Sequence, residues 1–279
     1  ARRSNGFSTA AAHLSNRYVI ALNLGNEYTT VGQNVRKQYV YGGFDEGTLA
    51  AYRRRLSARF RAIGKLNAAF GTSAAGFDEV FPPDGAPKTT PYYEWFTFLR
   101  ASFGAVIKAG YDGARAAAPA VPITYARLLG RWDAACEDAD LGFLEVQGEN
   151  LYYSWGKDWG DYAVRLARLI GPCRPALLTE TGIDTQRHTP AQAARMYRQQ
   201  LWLAVLHPEV AGIFPFEFCD EWYKRGDPKK ADDVEDVWGL VTALREKKPA
   251  FEAVKQTYAH FKELDGFLVA RASPPTLLV

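Results

Sequence analysis

The sequence predicts an α/β fold, a (β/α)8 barrel of which this chain covers only about strands 4 to 8. Short apolar runs alternate with amphipathic helical patterns, which is the order of elements in a parallel sheet covered by helices. Two of the runs end in a glutamate, within YVIALNLGNEY (residues 18–28) and PALLTETGIDT (residues 175–185). Polar residues that follow barrel strands are typical of active sites, because the sites of this fold lie at the carboxyl ends of its strands.

Five apolar runs are predicted to be strands. The first contains Val19, Ile20, Leu22 and Leu24, as expected for a strand that is buried on both faces. The other four begin near residues 121, 141, 176 and 211, and the last continues to Phe218. A closed barrel has eight strands. We therefore expect the first part of the barrel to be missing from this chain, either lost by truncation, located in a segment outside this sequence or supplied by another chain.

The helices are predicted from apolar stripes with helical spacing and from their termini. The clearest start is at Thr189, where Gln192 completes a capping box and Pro190 takes the first helical position. Residues 29–47, between the first strand and the first long helix, are predicted to be irregular because they are polar and rich in glycine. The predicted helices cover residues 8–17, 49–63, 92–118, 158–170, 189–206 and 249–264.

Length and composition fit one catalytic domain over residues 1–264, followed by a tail or the start of a further segment at 265–279. The chain has 279 residues, of which 47% are hydrophobic, and this is enough to bury a large core. Aromatic residues make up 14% of the chain, so they either build that core or provide platforms on which sugar rings stack.

Several classes of partner are not indicated. The net charge is only +3, and basic and acidic residues are mixed along the chain, so no nucleic acid is expected. No apolar run is long enough to predict a membrane span. Cys136, Cys173 and Cys219 lack the spacing of a metal site, and so do the four histidines, so neither a metal nor another cofactor is predicted. Compartment and oligomeric state stay open.

Four segments carry a resemblance to a known group of enzymes. They are LGNEY, with Asn26 and Glu27; KLNAAFGTSAAGFDEVFPP, residues 65–83; PFEFCDEWYK, residues 215–224; and WGLVTALREKKPAFEAVK, residues 238–255. Together with the strand that ends at Glu180, they resemble the retaining glycoside hydrolases of clan A. The family that they resemble most is family 42, which contains β-galactosidases.

The resemblance implies catalytic roles for the two glutamates at the strand ends and supporting roles for residues near them. Glu27 would be the general acid and base, and Glu180 would be the nucleophile, since retaining hydrolysis uses two carboxyl groups about 5 Å apart. Asn26 would bind the 2-hydroxyl group of the sugar. Tyr152 would donate a hydrogen bond to Glu180, although Tyr153 is nearly as well placed.

Further substrate contacts are expected after the last strand. Phe218 and Trp222 are candidates for an apolar floor under the sugar ring. Glu217, Asp220 and Glu221 are candidates for binding its hydroxyl groups. The implied partner is therefore a carbohydrate, a β-linked glycoside.

Three functions remain open from the sequence. The first is a retaining β-glycosidase, with β-galactosidase as one form. The second is a clan A enzyme that hydrolyses another β-linked polysaccharide or transfers its glycosyl groups. The third is a barrel remnant that binds carbohydrate without catalysis, because a shared fold does not by itself determine function.

Overall fold

A computed structural model describes most of the chain between residues 19 and 264. The described residues are 19–28, 31–33, 39–41, 45–83, 89–128, 140–152, 162–164, 166–167, 174–207, 209–220 and 237–264. The predicted helix at 8–17 and the tail at 265–279 lie outside them.

The secondary structure alternates between strands and helices, as the sequence predicts. The strands are β1 (Leu22–Asn26), β2 (Val31–Gln33), β3 (Tyr39–Tyr41), β4 (Ile123–Leu128), β5 (Gln147–Asn150), β6 (Ala176–Thr181) and β7 (Val210–Pro215). The helices are α1 (Glu46–Phe60), α2 (Ile63–Phe70), α3 (Thr90–Ala117), α4 (Pro190–Val205) and α5 (Pro249–Glu263). Residues 162–164 and 166–167, within the predicted helix at 158–170, are also helical.

Five strands form one sheet in the order β1-β4-β5-β6-β7. Strands β4 to β7 pair in parallel, with Arg127 opposite Glu149 and Asn150 opposite Glu180. The register shifts between Glu149 and Asn150 on β5 and between Leu178 and Thr181 on β6. Parallel strands bring their carboxyl ends to one edge of the sheet, so the residues that follow β4 to β7 share that edge. The predicted five-stranded parallel sheet is confirmed.

The described residues fall into two compact units. The first contains those within Ala1–Ile20, Leu24–Val121 and Gly130–Phe143; the second contains those within Ala21–Asn23, Pro122–Leu129 and Leu144–Val279. Strand β1 starts in the second unit, where Leu22 N–H donates to Pro122 O at 2.8 Å and Ala126 N–H donates to Asn23 Oδ1 at 3.0 Å.

The first unit is built around aromatic and aliphatic side chains of α1, α2 and α3. The rings of Tyr52 and Trp95 meet edge to face, with centroids 4.8 Å apart. Asn67 organises the segment after α2, because its side chain donates to Ala74 O at 2.9 Å and accepts from Ala74 N–H at 3.1 Å. The buried core consists of Tyr52, Leu56, Leu66, Val80, Trp95, Phe98 and Leu99.

Several sequence predictions differ from the structure. The first strand begins at Leu22 and the last ends at Pro215, and Ile20, predicted to be buried, is 59% exposed. The helix predicted at 49–63 is two helices, because Arg61 adopts a left-handed conformation with φ 63°. The stretch predicted to be irregular contains the antiparallel pair β2 and β3, with Val31 opposite Tyr41. The strand predicted from Leu141 begins at Gln147, because Asp140 Oδ1 accepts from Gly142 N–H at 2.9 Å and holds a turn there.

The second unit contains β4 to β7, α4 and α5. Helix α4 begins with the predicted capping box, in which Thr189 and Gln192 exchange hydrogen bonds. One buried cluster lies between β6 and α4 and consists of Leu151, Tyr162, Leu166, Ala176, Leu178 and Ala204. A second cluster consists of Ile183, Ala193, Tyr197, Leu201, Leu240, Ala250 and Val254. In the part of the chain that the structure describes, no helix is both long and apolar enough to cross a membrane.

Gly182 follows β6 at a point where a side chain has no room. A Cβ atom there would collide with the carbonyl oxygen of Phe216 and lie 2.8 Å from Cε3 of Trp238. Replacing Gly182 with alanine is therefore expected to lower the free energy of unfolding by roughly 1–3 kcal/mol, measured by urea denaturation. Gly64→Ala is the matched control. Nothing lies within 4 Å of its added Cβ, and alanine in α2 should leave stability unchanged or raise it by up to about 1 kcal/mol. Equal stability of the two variants would contradict this packing.

Candidate active site

Glu180 and Tyr152 meet where β5 and β6 end. The hydroxyl group of Tyr152 donates to Oε2 of Glu180 at 2.7 Å. The backbones pair at the same level, because Leu151 N–H donates to Glu180 O at 2.9 Å. A hydrogen bond from a neutral donor stabilises the ionised form of a carboxyl group. The contact therefore favours a fixed, negatively charged carboxylate at this edge of the sheet.

Aromatic packing fixes the direction of the Tyr152 ring. Trp238 lies edge to face against it at 4.9 Å between centroids, and Phe216 does so at 6.3 Å. Tyr152 itself is buried. Burial and contact with two other aromatic rings restrain the side chain, so its hydroxyl group stays directed at Glu180. The sequence does not indicate that Trp238 packs against Tyr152.

A second polar cluster lies on β4, β5 and β6 beside this pair. Thr179 Oγ1 donates to Asn150 Oδ1 at 2.7 Å. Arg127 Nε lies 3.3 Å from Oε2 of Glu149, whose side chain is fully buried. A buried carboxylate requires such a cation, because an isolated buried charge is strongly unfavourable. The sequence does not predict these contacts, and its signal for them is limited to the polar residues Gln147, Glu149 and Asn150 in a strand of a buried sheet.

Glu217 follows β7 and is held by its backbone. The peptide bond between Phe216 and Glu217 is cis. Glu217 N–H donates to Trp238 O at 3.4 Å, and Leu240 N–H donates to Glu217 O at 2.9 Å. Tyr197 of α4 donates to Phe216 O at 3.2 Å. Burial raises the pKa of Tyr197 well above its ordinary value, so its hydroxyl group remains a donor throughout the neutral range.

The other candidates after β7 have different surroundings. Phe218 is 59% exposed, and the guanidinium group of Arg245 lies 5.8 Å from its ring centroid. Asp220 forms an ion pair with Lys248 at 2.6 Å and accepts from Gly239 N–H at 2.8 Å, so this carboxylate has a clear structural role. Glu221 and Trp222 lie outside the described residues, as does Tyr153.

Asn26 and Glu27 belong to the first unit. Asn26 ends β1 and is exposed, and the half-buried Glu27 adopts a left-handed backbone conformation with φ 49°. Such a conformation is uncommon outside glycine and raises the free energy by about 1–2 kcal/mol. The ring of Tyr28 lies over Gly25, in the space that a Cβ atom would take. The chain therefore turns sharply at the predicted acid and base.

The structure thus brings Tyr152 and Glu180 into contact and groups them with Phe216 and Trp238. The catalytic and substrate-binding roles of all the candidates remain predictions. Within the described residues, no three histidine, cysteine, aspartate or glutamate side chains are grouped so that they could hold a metal ion.

No protein-family model matches this chain, and no curated protein is a significant match. Solved structures do have a similar fold. An exo-β-agarase aligns over 94% of this chain with a TM-score of 0.73 and 18% identity. A β-galactosidase from Bacillus circulans sp. alkalophilus aligns over 95% with a TM-score of 0.71 and 13% identity. An exo-carrageenase of family GH42 from Bacteroides ovatus aligns over 98% with a TM-score of 0.68 and 14% identity.

The alignments cover 38%, 39% and 40% of those three proteins, respectively, so this chain spans about two fifths of the length of the structures that it matches. Identities this low establish similarity of fold alone. At that level the predicted resemblance is confirmed: the chain has the α/β fold of part of a (β/α)8 barrel, as found in glycoside hydrolases that include a member of family 42.

Proposed function

We propose that this chain forms part of the catalytic domain of a retaining β-glycoside hydrolase in which Glu180 is the nucleophile and Glu27 is the acid and base. The observation that carries the proposal is the hydrogen bond from Tyr152 to Glu180 at the carboxyl end of β6. In (β/α)8 barrels, this end of the strands carries the active site. The fold shared with an exo-β-agarase and a β-galactosidase supports the same reaction class.

The proposed reaction has two steps. The carboxylate of Glu180 attacks the anomeric carbon while Glu27 protonates the departing glycosidic oxygen, so a glycosyl ester forms and the aglycone leaves. Glu27, now ionised, removes a proton from water. That water attacks the anomeric carbon and releases Glu180 as a carboxylate. Tyr152 orients the nucleophile and stabilises its negative charge before the attack.

The proposed substrate is a β-linked glycoside. Asn26 binds its 2-hydroxyl group, a contact that strengthens as the transition state forms. Phe218 and Trp222 provide an apolar floor, and Glu217 and Glu221 bind hydroxyl groups. A β-galactoside is the first candidate, because a β-galactosidase is among the structural neighbours.

A polysaccharide is the second candidate substrate. It is favoured by the names of two of the neighbours, an exo-β-agarase and an exo-carrageenase. Incubation of the protein with a chromogenic β-galactoside and with agar oligosaccharides, followed by chromatography of the products, separates the two. Added sugar acceptors reveal glycosyl transfer as new, longer products. Binding of glycosides without any turnover would instead support a carbohydrate-binding barrel without catalysis.

Glu180→Ala tests the nucleophile in the longest natural polypeptide that carries this sequence. Turnover of an activated aryl β-glycoside should fall by about 10⁴-fold or more, because the covalent intermediate no longer forms. Sodium azide should restore release of the aryl group and give the α-glycosyl azide, since azide attacks from the face that Glu180 has left. In Glu27→Ala, azide should instead give the β-glycosyl azide, because it replaces the water of the second step.

The control is Glu252→Ala, which removes a half-exposed glutamate of α5 that pairs with Lys247. It should leave turnover unchanged. Full activity of Glu180→Ala, or the same azide anomer from both active-site variants, would contradict the proposed roles.

Tyr152→Phe tests the hydrogen bond to the nucleophile. Without the donor the carboxylate is protonated more easily, so the acidic limb of the pH profile of kcat/KM should move to higher pH. At the pH optimum, kcat/KM should fall about 10- to 100-fold, as expected for a hydrogen bond to a charged group.

Tyr258→Phe is the matched control, because it removes a hydroxyl group that donates to the backbone oxygen of Ile213 at 2.5 Å. That variant should lose some stability and keep the wild-type pH profile. An unmoved acidic limb in Tyr152→Phe would argue against a role for this tyrosine in charge stabilisation.

A further inference from the structure

Helix α4 carries a polar side chain in the middle of its buried face. Gln200 is fully buried, and Tyr197, Leu201 and Ala204 around it on the helix are buried as well. Placing a primary amide in such surroundings is unfavourable unless it forms hydrogen bonds. The bonds that Gln200 forms therefore indicate why an amide, rather than a leucine, fits this position.

The amide of Gln200 contacts Thr181, the last residue of β6, and Leu151, the residue that directly follows β5. Its Nε2 donates to Leu151 O at 3.4 Å and, through a shorter contact, to Thr181 Oγ1. Thr181 Oγ1 in turn donates to Leu151 O at 2.8 Å. Because a carbonyl oxygen only accepts, Nε2 and not Oε1 must face Leu151. The three groups form a closed triangle around Nε2, whereas Oε1 of Gln200 is buried without a hydrogen-bond partner among the described residues.

Each of the two residues that Gln200 contacts is adjacent in sequence to a residue of the candidate site. Leu151 directly precedes Tyr152, and Thr181 directly follows Glu180. The regular ladder is interrupted here, since the register of β6 against β7 shifts between Leu178 and Thr181. Side-chain hydrogen bonds from Gln200 thus join the ends of β5 and β6 where the sheet ladder of β6 is irregular.

We infer that Gln200, acting with Thr181, is a positioning residue that holds Tyr152 at hydrogen-bonding distance from Glu180. The inference rests on the proposed function of Glu180. Gln200 contacts the backbone of Leu151, and so it acts on the reaction only through the placement of the Tyr152 hydroxyl group. Misplacement of a supporting group by about 1 Å can slow a reaction by up to about 100-fold.

Gln200→Met tests the inference, because methionine has a similar length and no donor. We expect kcat to fall about tenfold, KM to stay within about twofold, and the acidic limb of the pH profile to move to higher pH. The matched control is Thr257→Val, which removes a buried hydroxyl group of α5 that donates to Ala253 O at 2.7 Å. This control should lose comparable stability in urea denaturation and keep the wild-type kcat and pH profile.

Two substitutions of Thr181 test the same role, because one removes its hydroxyl group and the other keeps it. Thr181→Val should reproduce the effects of Gln200→Met, whereas Thr181→Ser keeps the hydroxyl group and should restore kcat and the pH profile. In a Tyr152→Phe background, Gln200→Met should cause no further loss of kcat, because the side chain that it positions has already lost its donor. If Gln200→Met does not fold, the comparison of Thr181→Val with Thr181→Ser decides the question.

The positioning role is overturned if Gln200→Met, or Thr181→Val in its place, behaves like Thr257→Val, losing stability with unchanged kcat and pH profile. It is also overturned if the loss of kcat is fully additive with that of Tyr152→Phe. The Glu180→Ala experiment separates this failure from failure of the proposed function. An inactive, azide-rescued Glu180→Ala together with a fully active Gln200→Met rejects the positioning role alone. A fully active Glu180→Ala rejects both.

Discussion

The hydrogen bond between Tyr152 and Glu180 is the constraint on which the candidate site depends, and it is a bond between neighbouring parallel strands. A slip of one residue between β5 and β6 would turn one of these two side chains to the opposite face of the sheet from the other. The bond therefore exists only in one register. Two kinds of interaction maintain that register: the packing of apolar side chains, and hydrogen bonds and ion pairs between polar groups.

Packing of apolar side chains supplies most of the stability. Leu151 and Leu178 are fully buried in the cluster that also includes Ala204 of α4, and burial of each leucine stabilises the fold by about 1.5–3 kcal/mol. Ion pairs such as that of Arg127 with Glu149 give little net stability, because desolvation offsets the attraction between the charges. The leucines thus hold the strands against the helix, and the directional contacts of the polar groups select one register among the compact alternatives.

The sequence predicts the elements whose signals are local and leaves out those that depend on distant partners. The capping box at Thr189 and the apolar run before Glu180 are read from adjacent residues, and both features are confirmed. The turn at Asp140 overrides an apolar run that predicts a strand, because its side chain satisfies a backbone donor there. Gln200 has no local signal of its role, since it follows another glutamine and its partners, Leu151 and Thr181, lie 19 or more positions earlier in the chain. Helical spacing from Tyr197 and Ala204 places Gln200 on the buried face, but only the fold shows which strand ends it contacts.

The interruption of the ladder on β6 explains how Glu180 is directed away from the helix that covers its strand. In a regular strand, residues three positions apart lie on opposite faces. Leu178 nevertheless belongs to the cluster that contains Ala204 of α4, and Thr181 binds Gln200 of the same helix, so both lie on the side of the sheet covered by α4. The register shift between Leu178 and Thr181 explains why both lie on the same side. An extra residue in a strand turns the side chains that follow it to the opposite face. Glu180 immediately precedes Thr181 and therefore points to the other face, where its carboxylate contacts Tyr152 and not the apolar core.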